Sequence, residues 1–173
     1  MQSAEIKPDS CQGGQEFSFS GALTIELMQA AFSKGARFRF QVKGFSMAPF
    51  INDSDIVTLS PLCLSPAGLG KPVACIIPVD KRLVVHRIVA RKKNRYLIKG
   101  DNCSTPDCLI LNQDILGSVT SLQRQNKNIS FGLGFERIAI AFLSRNGLLP
   151  LLYSLWDRIP KLLRIFIKCR ILL

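Results

Sequence analysis

Residues 37–43 alternate strictly: Phe38, Phe40 and Val42 fall on one side, and Arg37, Arg39, Gln41 and Lys43 on the other. A period of two marks a half-buried strand. Upstream, Leu23, Leu27, Ala30 and Ala31 recur at helical spacing, which predicts a short amphipathic helix over 21–34, ended by Gly35. Downstream, apolar runs follow at 55–59, 73–77, 83–90, 96–99 and 115–122, with Gly, Pro, Asn and Asp between them. Short strands separated by frequent turn signals predict a mainly β fold, a compact antiparallel sheet or barrel rather than βαβ units. From residue 135 the period becomes helical. Pro160 suits the first position of a last helix. Lys161, Arg164 and Lys168 would share one side of it, and Leu162, Leu163, Phe166 and Ile167 the other, with Arg170 as an exception.

These patterns divide the 173 residues into a loose polar arm (1–16), a β-domain (17–123) and a basic amphipathic helical tail (124–173). The chain is 47% apolar and 20% charged, which allows one domain with a real core. Its net charge of +11 is uneven. Residues 124–173 hold nine Lys/Arg against Glu136 and Asp157, whereas the first twenty hold one Lys and three acids. A basic, apolar tail implies an anionic surface as partner. Long aliphatic side chains with few aromatics favour lipid over nucleic acid, so peripheral membrane contact is expected and nucleic-acid binding is not. Trp156 and Tyr153 suit either an interfacial anchor or packing of the tail onto the domain.

The start is polar and does not read as a signal peptide. No stretch reaches the roughly 20 apolar residues of a spanning helix; 147–156 is about half that and contains Pro150. The six cysteines form no CxxC pair and no tight Cys/His spacing, and there is no glycine-rich phosphate loop, so no metal or cofactor is expected. Cys103 and Cys108 are near enough in sequence to bridge in an oxidising compartment. Free thiols in a reducing one are the expectation, which leans towards the cytoplasmic side of a membrane.

Candidate chemistry lies at strand ends. Ser46 follows the strand at 37–43, in a bend fixed by Gly44 and Pro49, where a hydroxyl and a backbone N–H can face one side. His86, the sole histidine, lies in the apolar run Leu83-Val84-Val85-His86-Arg87-Ile88-Val89, on one face with Val84 and Ile88. Its ordinary pKa suits a general base near neutrality. Asp101, in Lys99-Gly100-Asp101-Asn102, and Asp107 each carry a carboxylate able to orient an imidazole. Taken singly, these are ordinary turn and core residues.

Their order carries more. Gly44-x-Ser46-Met47-x-Pro49, Ser54-Asp55-Ile56-Val57, Val85-His86-Arg87-Ile88-Val89 and Lys99-Gly100-Asp101-Asn102 follow one another in a set that resembles the signal peptidase I superfamily. The likeness is to the branch with histidine in place of lysine, as in the endoplasmic-reticulum and sporulation-type signal peptidases, and it covers residues 42–122. The resemblance implies a coiled, mostly antiparallel β-domain with a groove along one sheet edge, where substrate adds as an extended strand. It implies Ser46 as nucleophile, with Met47 and Pro49 completing the motif, and His86 as general base. Asp101 matches the aspartate of the family's final box, Asp107 the second acid, and Asp55 a structural position. Gly44 departs from the pattern, because many relatives carry an oxyanion-binding hydroxyl there; backbone N–H groups would have to serve. Ser54 replaces a usual glycine, and the family's N-terminal anchor has no counterpart.

The expectation is therefore a serine endopeptidase acting on extended signal or leader peptides. The alternative is a non-catalytic peptide- or membrane-binding module on the same fold. The repressor-type autoproteases, which pair the serine with lysine and carry a preceding DNA-binding domain, fit less well.

Overall fold

The structure, a computed structural model, describes residues 21–149. The polar arm, the helix expected from Pro160 and the residues Tyr153 and Trp156 lie outside the described residues. The chain forms helix α1 (Gly21–Ser33), strands β1 (Phe38–Gln41), β2 (Ile56–Pro61), β3 (Pro72–Ile76), β4 (Leu83–Lys92), β5 (Arg95–Lys99), β6 (Cys108–Leu111), β7 (Ile115–Arg124) and β8 (Lys127–Ile129), then helix α2 (Arg137–Arg145). The fold is mainly β, as the turn-punctuated pattern predicts. All strand pairs are antiparallel, in one open sheet of order β1-β2-β7-β3-β4-β5-β6, with β8 also on β7.

Both faces of the central strands are covered. In β3, Ala74 joins a cluster with Met28, Val57, Leu59 and Val119, while Val73 and Cys75 join another with Ile88, Ile98 and Ile110. Consecutive residues of a strand point to opposite faces, so this division follows from the pleat. Helix α1 is apolar almost all round, and it docks through Met28, fully buried in the first cluster, with Phe32 beside it. Bulges interrupt β2 at Thr58/Leu59, β3 at Ala74/Cys75 and β4 at Ile88/Ala90, where register shifts bend the sheet.

Two strands were not expected. β6 is a four-residue apolar run after Ser-Thr-Pro-Asp, and β8 is too polar to show alternation. The sheet thus extends past residue 123, the expected end of the β-domain. Segment 130–149 is likewise no detached tail: α2 buries Ile140 and Ala141, and Ile140 and Leu149 pack with Phe50. Residues 37 and 42–43, expected in the first strand, fall outside β1, although Val42 still exchanges backbone hydrogen bonds with Asp55 and Ser54 at 2.9 and 3.0 Å. No described helix is long and apolar enough to cross a membrane.

Because Met28 is the buried anchor of α1, Met28→Ala should cost about 2–5 kcal/mol of stability by urea denaturation. Leu23→Ala, on the exposed side of the same helix, should stay within about 0.5 kcal/mol. Equal effects would mean that α1 is held some other way.

Candidate functional site

The bend after β1 is pinned from beneath. Met47, Phe50 and Ile51 are buried while Ser46, just before them, is exposed, so apolar neighbours fix a turn that leaves the hydroxyl in reach of solvent. The Ala48–Pro49 peptide is cis. Asp55 accepts the Asn52 N–H at 2.7 Å and takes Arg124 by two donors at 2.9 and 2.8 Å. Arg124 also donates to the carbonyls of Pro49 and Phe50, each at 3.3 Å. Asp55 thus has the structural part expected of it, and its carboxylate raises the Arg124 pKa further. Gly44 sits at φ +96, a conformation that favours glycine, and its N–H donates to Asp53 at 2.7 Å. The absence of a hydroxyl residue here therefore follows from the backbone. Among the described residues, no acceptor takes the Ser46 N–H.

His86 reaches this bend from β4. Its Nε2 lies 2.9 Å from Ser46 Oγ, and its Nδ1 lies 2.5 Å from Asp107 Oδ2. An ionised carboxylate only accepts, so Nδ1 carries the proton facing Asp107. In the neutral ring Nε2 is then the acceptor, and the Ser46 hydroxyl donates to it. Hydroxyl, imidazole and carboxylate form one directed chain. The ring is buried, and the Asp107 side chain is 22% exposed at the mouth of the site.

Of the two carboxylates that the sequence leaves open, Asp107 binds the ring and Asp101 does not. Asp101 is fully buried and accepts Arg87 Nε at 2.9 and 3.0 Å and Nη2 at 2.7 Å. Burial pushes its carboxyl up from the ordinary range, and the Arg87 guanidinium opposes that. Arg87 Nη1 donates to the carbonyls of Gly70 and Gly132 at 2.7 and 2.9 Å, and its guanidinium lies 5.2 Å over the Phe50 ring. Of the two candidates for orienting the ring, the contact is made by Asp107, and Asp101 is committed to Arg87. Asp101 neutralises a buried arginine whose Nε and Nη2 donors would otherwise be stranded.

Lys99, the cross-strand partner of Arg87, is also fully buried. Two cations opposite each other repel. Lys99 Nζ donates to the Ser144 carbonyl in the last turn of α2, where the helix dipole is negative.

The loop after β5 clips onto the serine directly. The Asn102 N–H donates to the Ser46 carbonyl at 2.8 Å, and its side-chain amide to the Phe45 carbonyl at 3.2 Å. A Cβ on Gly100 would stand 2.7 Å from the Ser46 carbonyl oxygen and 3.2 Å from His86 Nε2. Only glycine allows that approach. Gly100, Asn102, Arg87 and Lys99 stand in the sequence motifs, but the sequence assigns them no role of their own. A charged residue within an apolar strand was the available signal for Arg87, and the Gly-Asp-Asn turn for the others.

The chain opens into a groove of about 1350 Å³ between the first half of α1, the outer edge of β1 and the β3–β4 hairpin. Both flanking strands have bare edges among the described residues. β1 pairs only with β2, and Leu83–His86 pair with β3 but not with β5, which begins its ladder at Arg87. Ile25, Phe40, Met47, Leu83 and Val85 supply apolar walls. Cys103 borders the groove; burial first, and then Asp107, pushes its thiol up, which keeps it protonated and a poor nucleophile. Cys63, Cys75, Cys103 and Cys108 are free, so Cys103 and Cys108 are not bridged. Among the described residues, no cluster of His, Cys, Asp or Glu suits a metal ion.

No protein-family model matches this chain, and no curated protein matches it.

The two aspartates should separate cleanly. Asp101→Asn leaves Arg87 buried without a counter-charge and should cost about 3–5 kcal/mol in urea unfolding. Asp107→Asn, at the groove mouth, should cost no more than about 1 kcal/mol. The reverse order would contradict the assignment.

Proposed function

We propose that this chain is a serine endopeptidase of the signal-peptidase type, in which Ser46 attacks, His86 is the general base and Asp107 orients it. The single observation that carries the reading is the continuous hydrogen-bond chain from Ser46 Oγ through both His86 nitrogens to Asp107. An unreactive core histidine would have no need of an exposed hydroxyl on one nitrogen and a half-open carboxylate on the other.

In this mechanism, Ser46 Oγ bonds to the scissile carbonyl carbon as its proton passes to His86 Nε2. Asp107 stabilises the imidazolium that forms. The carbonyl oxygen becomes an oxyanion, and the uncommitted N–H of Ser46 is the donor best able to meet it. The imidazolium then protonates the leaving amine, and the C–N bond breaks to give an acyl-enzyme. Water attacks the ester, giving its proton back through His86, and the Ser46 hydroxyl is restored. Nothing in these three residues calls for a cofactor.

The substrate reading follows from the groove. Bare edges on β1 and on Leu83–His86 suit an extended chain that pairs by its backbone and presents its scissile bond to Ser46. A signal or leader peptide in extended form meets that need, with a small residue just before the cleaved bond as the family resemblance implies. The antiparallel sheet, bent at its bulges, is compatible with a signal-peptidase-type β-domain. The basic, apolar sequence of residues 150–173 supports peripheral attachment to an anionic membrane, on the cytoplasmic side if the thiols stay reduced.

The test is kinetic. On an internally quenched extended peptide with alanine before the cleaved bond, Ser46→Ala should remove activity. His86→Ala should lower kcat by about 10²–10⁴-fold, the usual contribution of a general base. Both variants should keep the parent's circular dichroism, and Ser46→Ala its urea midpoint. Cleavage by Ser46→Ala at the parent's rate would refute the proposal, and inactivity of the parent on every such peptide would favour the binding-module alternative.

A further inference from the structure

Helix α2 buries one side on the domain, yet its opposite side is apolar too. Phe135, just before the helix, is 89% exposed, Phe142 is 66% exposed and Ile138 is 52% exposed. Positions 135, 138 and 142 are spaced three and four apart, so they line one stripe. Single exposed apolar side chains are ordinary, but a contiguous stripe of large ones on a water-facing helix marks an interaction surface. Phe131, also exposed, lies one turn of chain upstream with its ring against Phe50.

Charge identifies the occupant. α2 ends in the exposed Arg145. The sequence that follows, 150–173, contains Arg158, Lys161, Arg164, Lys168 and Arg170 against the lone acid Asp157, and the rest of it is largely aliphatic or aromatic. An apolar stripe that runs on into a basic, apolar segment matches a surface with hydrocarbon beneath and negative charge above. We propose that Phe135, Ile138 and Phe142 dock α2 into the headgroup region of an anionic bilayer, as part of the folded domain rather than as a separate tail.

Docking there would also orient the site. The Gly132 carbonyl is held by Arg87 and the Ser144 carbonyl by Lys99, so the segment bearing the stripe is tied to the strands that carry His86 and the Gly100 turn. A bilayer under α2 therefore sets the attitude of the groove. The inference does not depend on the chemistry assigned to Ser46.

Co-sedimentation of the full chain with vesicles tests it. The parent should pellet with phosphatidylcholine vesicles containing phosphatidylglycerol and far less with phosphatidylcholine alone. A triple variant, Phe135→Ser, Ile138→Ser and Phe142→Ser, exchanges only exposed side chains and should fold normally. Its partition into anionic vesicles should fall roughly tenfold or more. Binding equal to the parent would assign the contact to residues 150–173 alone and overturn the proposal. As a direct readout, Phe142→Trp in a Trp156→Phe background should be quenched by brominated lipid. An unquenched tryptophan, or a dimer in lipid-free solution that the triple variant abolishes, would equally overturn it by showing the stripe covered by something other than lipid.

Discussion

One pleat of β4 governs the molecule. His86 and Arg87 are consecutive, so they must leave the strand on opposite faces. His86 shares its face with Val84 and Ile88 and meets Ser46 and Asp107. Arg87 shares the other with Val85 and enters a buried space bounded by Phe50, Gly70, Gly132 and Asp101. A one-residue slip of β4 against β3 would exchange the two: a guanidinium would face the serine, and an imidazole would enter a site built for five donors. The buried ion pair thus does more to fix the register than to add net stability, since paired buried charges contribute little beyond what apolar packing would.

The same pair explains why segment 130–149 belongs to the domain. Arg87 and Lys99 each need a carbonyl that no neighbouring strand offers, because strand carbonyls are already spent in the sheet. The turn at Gly132 and the last turn of α2 supply them. The last carbonyls of a helix have no intrahelical partner, which makes them natural acceptors for a buried ammonium. Helix α2 is held to the sheet in part by the buried ammonium that its last turn accepts.

Much of the architecture was legible in the sequence where one periodicity acted alone. The alternation at 37–43 and the helical spacing at 21–34 predict elements whose ends lie within two residues of those observed. β6 and β8 escaped because a four-residue apolar run and a polar hairpin arm have too few positions to display a period. Ser46 and His86 could be named because the order of four short motifs restricts the reading more than any one of them. The choice between Asp101 and Asp107 could not be made that way. It depends on where the loop after β5 turns back, and that is set by long-range contacts: Asn102 on the Ser46 carbonyl, and the Asp107 N–H on the Ile98 carbonyl at 3.1 Å. Likewise, Gly44 looked like the loss of an oxyanion donor, whereas its positive φ makes it a requirement of the bend.

The account stands on the serine, the imidazole and the carboxylate acting as one hydrogen-bonded unit, and a chain with a single histidine permits a direct view of it. Histidine-labelled protein near neutral pH, observed by ¹⁵N and ¹H NMR, should show one ring with Nδ1 protonated, its proton far downfield in the bond to Asp107, and Nε2 unprotonated. Asp107→Asn should move that proton upfield, and Ser46→Ala should shift the Nε2 resonance. A ring protonated at Nε2 instead, or one whose resonances ignore both substitutions, would contradict the account.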